Sequence, residues 1–331
     1  MKNILFSLII LASILTSCDS NNERILPSST GRVGQVLVVM ADHKWEQEPG
    51  KVIRKAINED YSLLPQSEPL LDITHVPNRA YSKFLMKTRN ILLTQISVNV
   101  KKPEIRISYD KHAYPQLIIS IKAKNNKEFV ETFKKHEEKI ISSFVNAERD
   151  RLIKAYSGKL LNKKIKDQLA KNHNIYMSIP TGFNIDVDSS DFVWISRETP
   201  RSSQGILIWE YAYTDTSQFH LENMLNKRDS ITKYHIPGPV DSTYMATERM
   251  VTPEFREFLL NKNYTAEIKG LWKLDGKEGV FMGGPYLSIS QVDTLRDRII
   301  TVDAFAYGGK NKKRELMRQL DAILHTFKIL Y

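Results

Sequence analysis

Apolar positions along the first half of the chain follow two different periods. Residues 33–40 (VGQVLVVM) are almost continuous in apolar and β-branched side chains, the pattern of a strand buried on both faces. Pro49 and Gly50 then open a helix that carries Val52, Ile53, Ala56 and Ile57 on one side. Spans 72–76, 91–98, 105–109 and 116–123 read as further strands and 78–87 as a helix, which makes an α/β unit of about five strands. Asn125 and Asn126 cap a long helix in which Phe129, Phe133, His136, Ile140, Phe144 and Ala147 recur at three- and four-residue spacing. Tyr156, Ser157 and Gly158 break it. A second helical stretch, with Leu160, Leu161, Ile165 and Leu169 along one side, runs to Asn172, where we place a domain boundary.

The second half is richer in strands. Spans 175–179, 192–197 and 205–214 alternate as strands do, 217–234 reads as a helix, and Pro237, Gly238 and Pro239 form a turn. Spans 264–274, 280–290 and 298–307 then predict an antiparallel meander, and a closing helix carries Leu316, Leu320, Ile323, Leu324 and Phe327 on one face. The expected fold class is therefore α+β or α/β: two layered domains, each a β-sheet covered by helices, with the meander and the C-terminal helix in the second. The expected order is 1–17 signal peptide, 18–30 lipidated tether, 31–172 N-terminal domain ending in long basic helices, and 173–331 C-terminal domain.

Composition agrees with a folded chain and adds an address. Of 331 residues, 41% are hydrophobic, 26% charged and 9% aromatic, which excludes a disordered or low-complexity protein. The single cysteine, Cys18, removes intramolecular disulfides, Cys-rich zinc sites and CxxC redox chemistry together. It stands behind Lys2 and an apolar run over 4–15, which suits a signal-peptide core and is too short to span a bilayer. Leu15, Thr16, Ser17 and Cys18 resemble the lipobox of bacterial lipoproteins. That resemblance implies cleavage before Cys18, acylation of Cys18 and anchoring through it to the outer membrane, with the body facing the periplasm.

A second resemblance covers the remainder of the chain. Leu26, Pro27, Ser28 and Ser29 with 36–40 and Trp45, then Arg89 to Leu92 (RNIL), Glu267 to Trp272 (EIKGLW), Phe281 to Pro285 (FMGGP) and Lys313 to Leu320 (KRELMRQL) are similar to a family of Bacteroidota lipoproteins classed as a domain of unknown function, DUF4837. The likeness implies location and fold and carries no activity. Ile179 to Phe183 (IPTGF) with Trp194 also resembles the opening of Mog1/PsbP-type α/β sandwiches.

Net charge is +10, from 48 basic and 38 acidic side chains, and it is concentrated. Residues 101–171 hold 18 Lys or Arg against 9 Asp or Glu. Lys134, Lys135, Lys139, Lys163 and Lys164 therefore form a candidate docking face for anionic lipid or an envelope protein complex, with a solvated helix surface as the plainer reading. Nucleic acid is not an expected partner outside the cytoplasm.

Catalytic signatures give little. The sequence has no GxSxG elbow, no GxxxxGK[ST] loop and no HExxH pair, so no catalytic residue, cofactor or metal ligand is assigned. Asp186, Asp188 and Asp191 lack the central Gly and terminal Glu of a calcium loop and read as a solvated loop before the Phe192 strand. Strand alternation puts Leu207, Trp209, Tyr211 and Tyr213 on one face and Ile206, Ile208 and Glu210 on the other. Glu210, in an apolar row, needs a partner, for which Arg197 or Arg249 is the expectation. Trp194, Trp209, Glu210, Tyr211, Arg249 and Trp272 form a candidate pocket that could stack on a sugar or another flat ligand. The leading expectation is a non-enzymatic interaction or scaffolding module of the envelope. A small-ligand or glycan-binding protein is the alternative, and a hydrolase using Glu210 or Asp186 the third reading.

Overall fold

The structure is a computed structural model that describes residues 25–277 and 279–331. The expected signal peptide and Cys18 lie outside the described residues. Where the chain enters, residues assigned to the tether are already bound to the first unit: Ser29 donates its amide to Tyr114 at 3.0 Å and Thr30 to Lys87 at 2.9 Å.

The first unit is a five-stranded sheet in the order β2-β1-β3-β5-β4, formed by β1 (Gln35–Val39), β2 (Asp72–Val76), β3 (Asn90–Ile96), β4 (Glu104–Tyr109) and β5 (Leu117–Ala123). All pairings are parallel except that of β4 with β5. The unbroken apolar run of β1 is explained by burial on both faces. Val36, Val38 and Met40 point into one core and Leu37 and Val39 into another.

Beside the first core lie α1 (Asp42–Trp45), α2 (Glu48–Ile57), α3 (Asn126–Lys135) and α4 (Glu137–Ser157), of which α2, α3 and α4 bury Ile53, Phe129, Phe133, Ile140 and Phe144. Asn125 caps α3 by accepting the Glu128 amide at 3.0 Å, and the Glu128 carboxylate reaches back to the Lys124 amide. The single long helix expected from 125 onward is broken at His136, which leaves helical geometry (φ −121°, ψ 14°) and bonds its ring to the Thr132 carbonyl at 3.0 Å. The helix expected at 78–87 is instead two 3₁₀ turns, Asn78–Ala80 and Leu85–Lys87.

The second unit is an eight-stranded antiparallel sheet in the order β10-β12-β13-β14-β9-β8-β7, with β11 also paired to β12. Its strands are β7 (Asn184–Asp188), β8 (Phe192–Thr199), β9 (Ser202–Ala212), β10 (Tyr244–Thr247), β11 (Glu254–Leu260), β12 (Asn263–Asp275), β13 (Gly283–Asp293) and β14 (Arg298–Tyr307). The expected meander is β12-β13-β14. Asp186 and Asp188 lie on strand β7 rather than in a loop, at the sheet edge, where only Ile185 and Val187 of its five residues are apolar.

Both faces of this sheet are covered. On one side α5 (Lys163–His173) and α7 (Arg314–Leu324) pack on Ile206, Ile208, Ile289 and Val302, together with the short pair β6 (Ile175–Tyr176) and β15 (Lys328–Ile329). On the other, α6 (Leu221–His235) covers Leu207, Trp209, Ile268 and Trp272. Ile165 and Leu169 of α5 sit in the core of the second unit. Among the described residues no helix is long and apolar enough to cross a membrane.

A polar seam locks the two units along α4 and α7. The Arg314 guanidinium spans both oxygens of Asp72, at 3.1 and 2.9 Å, and this pairing holds the carboxyl below its usual range against the desolvation that would raise it. Glu68, only 2% exposed, accepts the amides of Lys313 at 2.6 Å and Arg314 at 3.2 Å, so the first unit supplies the cap that the N-terminus of α7 lacks in its own sequence. Arg149 of α4 meets Asp321 of α7 at 2.6 Å.

Candidate functional site

The strand alternation read from the sequence fixes where the aromatic candidates go. Trp209 and Trp272 are each 3% exposed within the core under α6, and Trp194 and Tyr211 pack against that core. Glu210 lies on the opposite face and pairs with Arg298, which also holds Asp293 at 3.0 Å and the His173 carbonyl at 2.9 Å. The expected partners are engaged elsewhere: Arg197 bonds Gln204 and Gln319, and Arg249 bonds Asp229 and Glu222 at the surface. The six candidates therefore do not converge. Trp209 and Tyr211 are roofed by α6, Glu210 is in an ion-pair network, and Arg249 belongs to a surface cluster.

Trp272 borders an open groove. This groove, of about 1040 Å³, runs between the start of β13 and the 307–313 turn and is lined by Trp272, Phe281, Met282, Gly284, Tyr307 and Lys313 among others. The indole donates to the Ala306 carbonyl at 3.3 Å, and its ring centroid is 6.2 Å from that of Tyr307. Gly284 is required by close approach: a Cβ there would lie 2.1 Å from the Ala306 carbonyl oxygen. Phe281 stands 93% exposed at the rim. Lys313 turns its ammonium inward to Gln66, Gly309 and Asn311 at 2.6 to 2.9 Å.

The basic candidates occupy two separate helical supports. Lys134, Lys135 and Lys139 are exposed on α3 and α4 over the first sheet, whereas Lys163 and Lys164 are exposed in the first turn of α5 on the second unit. Lys135 and Lys139 share a shallow groove with Glu128, Glu131 and His136, so part of their field is offset locally.

One charge cluster was missed by sequence reasoning. Where α4, α7 and β12 meet, Glu267, Asp321 and His325 bring their ligand-type atoms within 4.8 Å of one another. Glu267 is chelated by Arg256 through both oxygens, at 2.5 and 2.8 Å, and Asp321 is taken by Arg149. Desolvation lowers the His325 pKa against the pull of Asp321. Desolvation would raise the Asp321 carboxyl, and the charges of His325, Arg149 and Lys269 hold it low instead. Carboxylates already held by guanidinium groups make this an ion-pair cluster and not a cation site. Alternation of Glu267 and Lys269 around Ile268 was the available sequence signal, since it puts both charges on one face of a strand.

Two family models match the chain, both described as domains of unknown function: DUF4837 over residues 162–326 and DUF8532 over residues 29–157. No curated protein matches it. Among solved structures, the Ran-binding protein Mog1p of Saccharomyces cerevisiae is similar at 11% identity and a TM-score of 0.32, over 47% of this chain and 90% of that one. A point mutant of protein Mog1 is similar at 10% identity and a TM-score of 0.31, over 47% of this chain and 91% of that one.

Proposed function

Starting from a chain whose residues 162–326 belong to the DUF4837 family of unknown function, we propose that it is a lipid-anchored protein of the cell envelope that acts as an interaction module, docking a partner protein in the groove beside Trp272. The observation that carries the reading is Phe281, a large apolar side chain held 93% exposed at the mouth of a groove of about 1040 Å³. Val280, Met282 and Trp272 line the same groove, so Phe281 extends an apolar wall of the kind that interface anchors use. The lipobox at Leu15 to Cys18 supports the address, with acylated Cys18 holding the body at the outer membrane on its periplasmic side. Multiple acyl chains on one residue give stable attachment, each buried methylene contributing about 0.8 kcal/mol. The locked seam supports a rigid, composite surface better suited to docking than two freely jointed units.

The test has two parts. Cys18→Ala is expected to move the protein from the membrane to the soluble fraction, and a variant that still sediments with membranes overturns the anchor. Phe281→Ser in the anchored protein is expected to lose whatever envelope protein co-purifies with wild type. An unchanged co-purifying set refutes the groove as the docking surface. Glycan binding is the weaker reading, because Trp272 is only 3% exposed and offers a sugar no free ring face.

A further inference from the structure

The chain enters the first unit at one end of its sheet. The Tyr114 amide donates to the Pro27 carbonyl at 2.9 Å, and the Thr30 amide reaches Lys87 just ahead of β3. The same end gathers the 83–89 segment and the β4–β5 turn over 109–116, which Gln116 ties together by donating to the Met86 and Thr88 carbonyls at 2.6 and 2.8 Å. The last turns of α4 close it from the side, where the Lys154 ammonium bonds the Tyr114 hydroxyl and stands 4.6 Å from the centroid of its ring.

This end is both apolar and basic. Phe84 is 69% exposed and Tyr109 68%, and Ile25 at the entry is almost fully exposed. Segments 83–89 and 109–116 hold four Lys or Arg against one Asp, and Lys83 and Lys111 are exposed. The one acid, Asp110, is occupied by the Gln116 amide at 2.8 Å. Aromatic rings beside lysines suit the surface of an anionic bilayer, where the rings settle at the boundary of headgroup and acyl chain and the ammonium groups meet the headgroup charge.

The length of the tether selects this end over the others. Cys18 stands nine residues before Pro27, so even a fully extended tether reaches no more than about 32 Å. An acylated Cys18 lies at the lipid surface, which keeps the entry within that distance of it. Lys134, Lys135 and Lys139 lie at the other end of α4, where Lys139 is about 22 Å from Lys154 along the axis. Turning them to the lipid would lift the entry away and take up most of the tether's reach. From the far end their field is felt at the lipid only in low salt, where the screening length is about 30 Å at about 0.01 M.

We propose, resting on the reading of Cys18 as the anchor, that the entry end of the first unit lies against anionic lipid, with Phe84 and Tyr109 at the headgroup boundary and Lys83 and Lys111 facing the headgroup charge. One acyl-bearing residue and one basic, aromatic face are then two signals for the same surface, and together they set the orientation of the body on it.

The experiment uses the acylated full chain on vesicles of phosphatidylethanolamine and phosphatidylglycerol. Acylation consumes the only cysteine, so one introduced cysteine gives one labelling site. A nitrobenzoxadiazole fluorophore is placed through Lys83→Cys, Lys111→Cys or Lys101→Cys, all at exposed positions. Lys101 serves as the reference, at the far ends of β3 and β4 and about 20 Å from Tyr109 along the strand. Labels at 83 and 111 are expected to shift to the blue on vesicles and to lose emission to lipid that carries a headgroup nitroxide, whereas the label at 101 does neither. With the label at 83, Tyr109→Ser combined with Lys111→Gln is expected to restore emission. Sedimentation of the same samples reports the anchor separately. Protein that sediments but is quenched equally at 101 and 111 overturns this inference and leaves the anchor standing, and so does quenching at 83 that the double substitution leaves unchanged. Protein that stays in solution overturns the anchor and this face with it.

Discussion

Replacing Arg228 by Met should be among the most damaging single changes in the second unit, for a reason that can be separated from loss of packing. Arg228 lies on α6, 1% exposed, with Nε 2.8 Å and one amino group 3.3 Å from the Asp303 carboxylate. Its other amino group reaches Thr247 at 3.2 Å, and its guanidinium carbon stands 3.7 Å from the centroid of the Tyr286 ring. Met keeps most of the apolar stem and removes the charge, which strands Asp303 at 0% exposure. Breaking one side of a buried pair costs about 3 to 5 kcal/mol, mostly the desolvation of the charge left behind. Adding Asp303→Asn removes that charge, so the double variant should regain at least about 2 kcal/mol over the single. The pH dependence supplies a second check. Burial raises the Asp303 carboxyl against the pull of Arg228, and without the guanidinium it rises further. A raised folded-state pKa means the folded form binds the proton more tightly than the unfolded one. The defect of Arg228→Met is then complete above the folded pKa and shrinks as pH falls towards the unfolded value of about 3.9. Denaturant titration followed by tryptophan fluorescence at pH 7 and pH 5 measures both. A single variant that loses less than about 1 kcal/mol, or a double variant equal to the sum of the singles, refutes the reasoning.

Two further outcomes follow from the seam and the surface charge. Arg314→Leu removes the bidentate contact with Asp72 and should weaken coupling of the units by about 1.5 to 3 kcal/mol, splitting a single calorimetric unfolding transition into two; one unchanged transition would show that the seam does not couple them. Neutralising Lys134, Lys135 and Lys139 to Gln should weaken binding to anionic lipid vesicles in low salt by up to about fivefold for each lysine that faces the surface, and equal sedimentation of wild type and variant would leave these lysines a solvated helix face.

Legibility followed periodicity. The apolar run of β1, strand 72–76 and strand 298–307 were readable because each alternates or saturates cleanly with β-branched residues. Strands β7 and β11 were not, because edge strands carry charge: Asp186 and Asp188 in one, Glu254, Arg256 and Glu257 in the other. The face that Glu210 occupies was predictable from alternation, but its partner was not, since Arg298 stands 88 residues away and arrives only through the pairing of β9 with β14. The cavity at the seam draws Tyr61, Arg149, Lys269 and Asp321 from four separate elements, a convergence that local spacing does not encode.

Glu68 waits long for its partners. The two amides it receives at the head of α7 lie 245 and 246 residues further along the chain. A polypeptide leaving the ribosome, or threading through an export channel, can complete its first sheet while this carboxylate still faces water. The joint closes only when the final helix has emerged. Products cut short before Lys313 would keep a folded first unit with an open polar flank. Quality-control proteases would then have a physical mark by which to tell a truncated chain from a finished one.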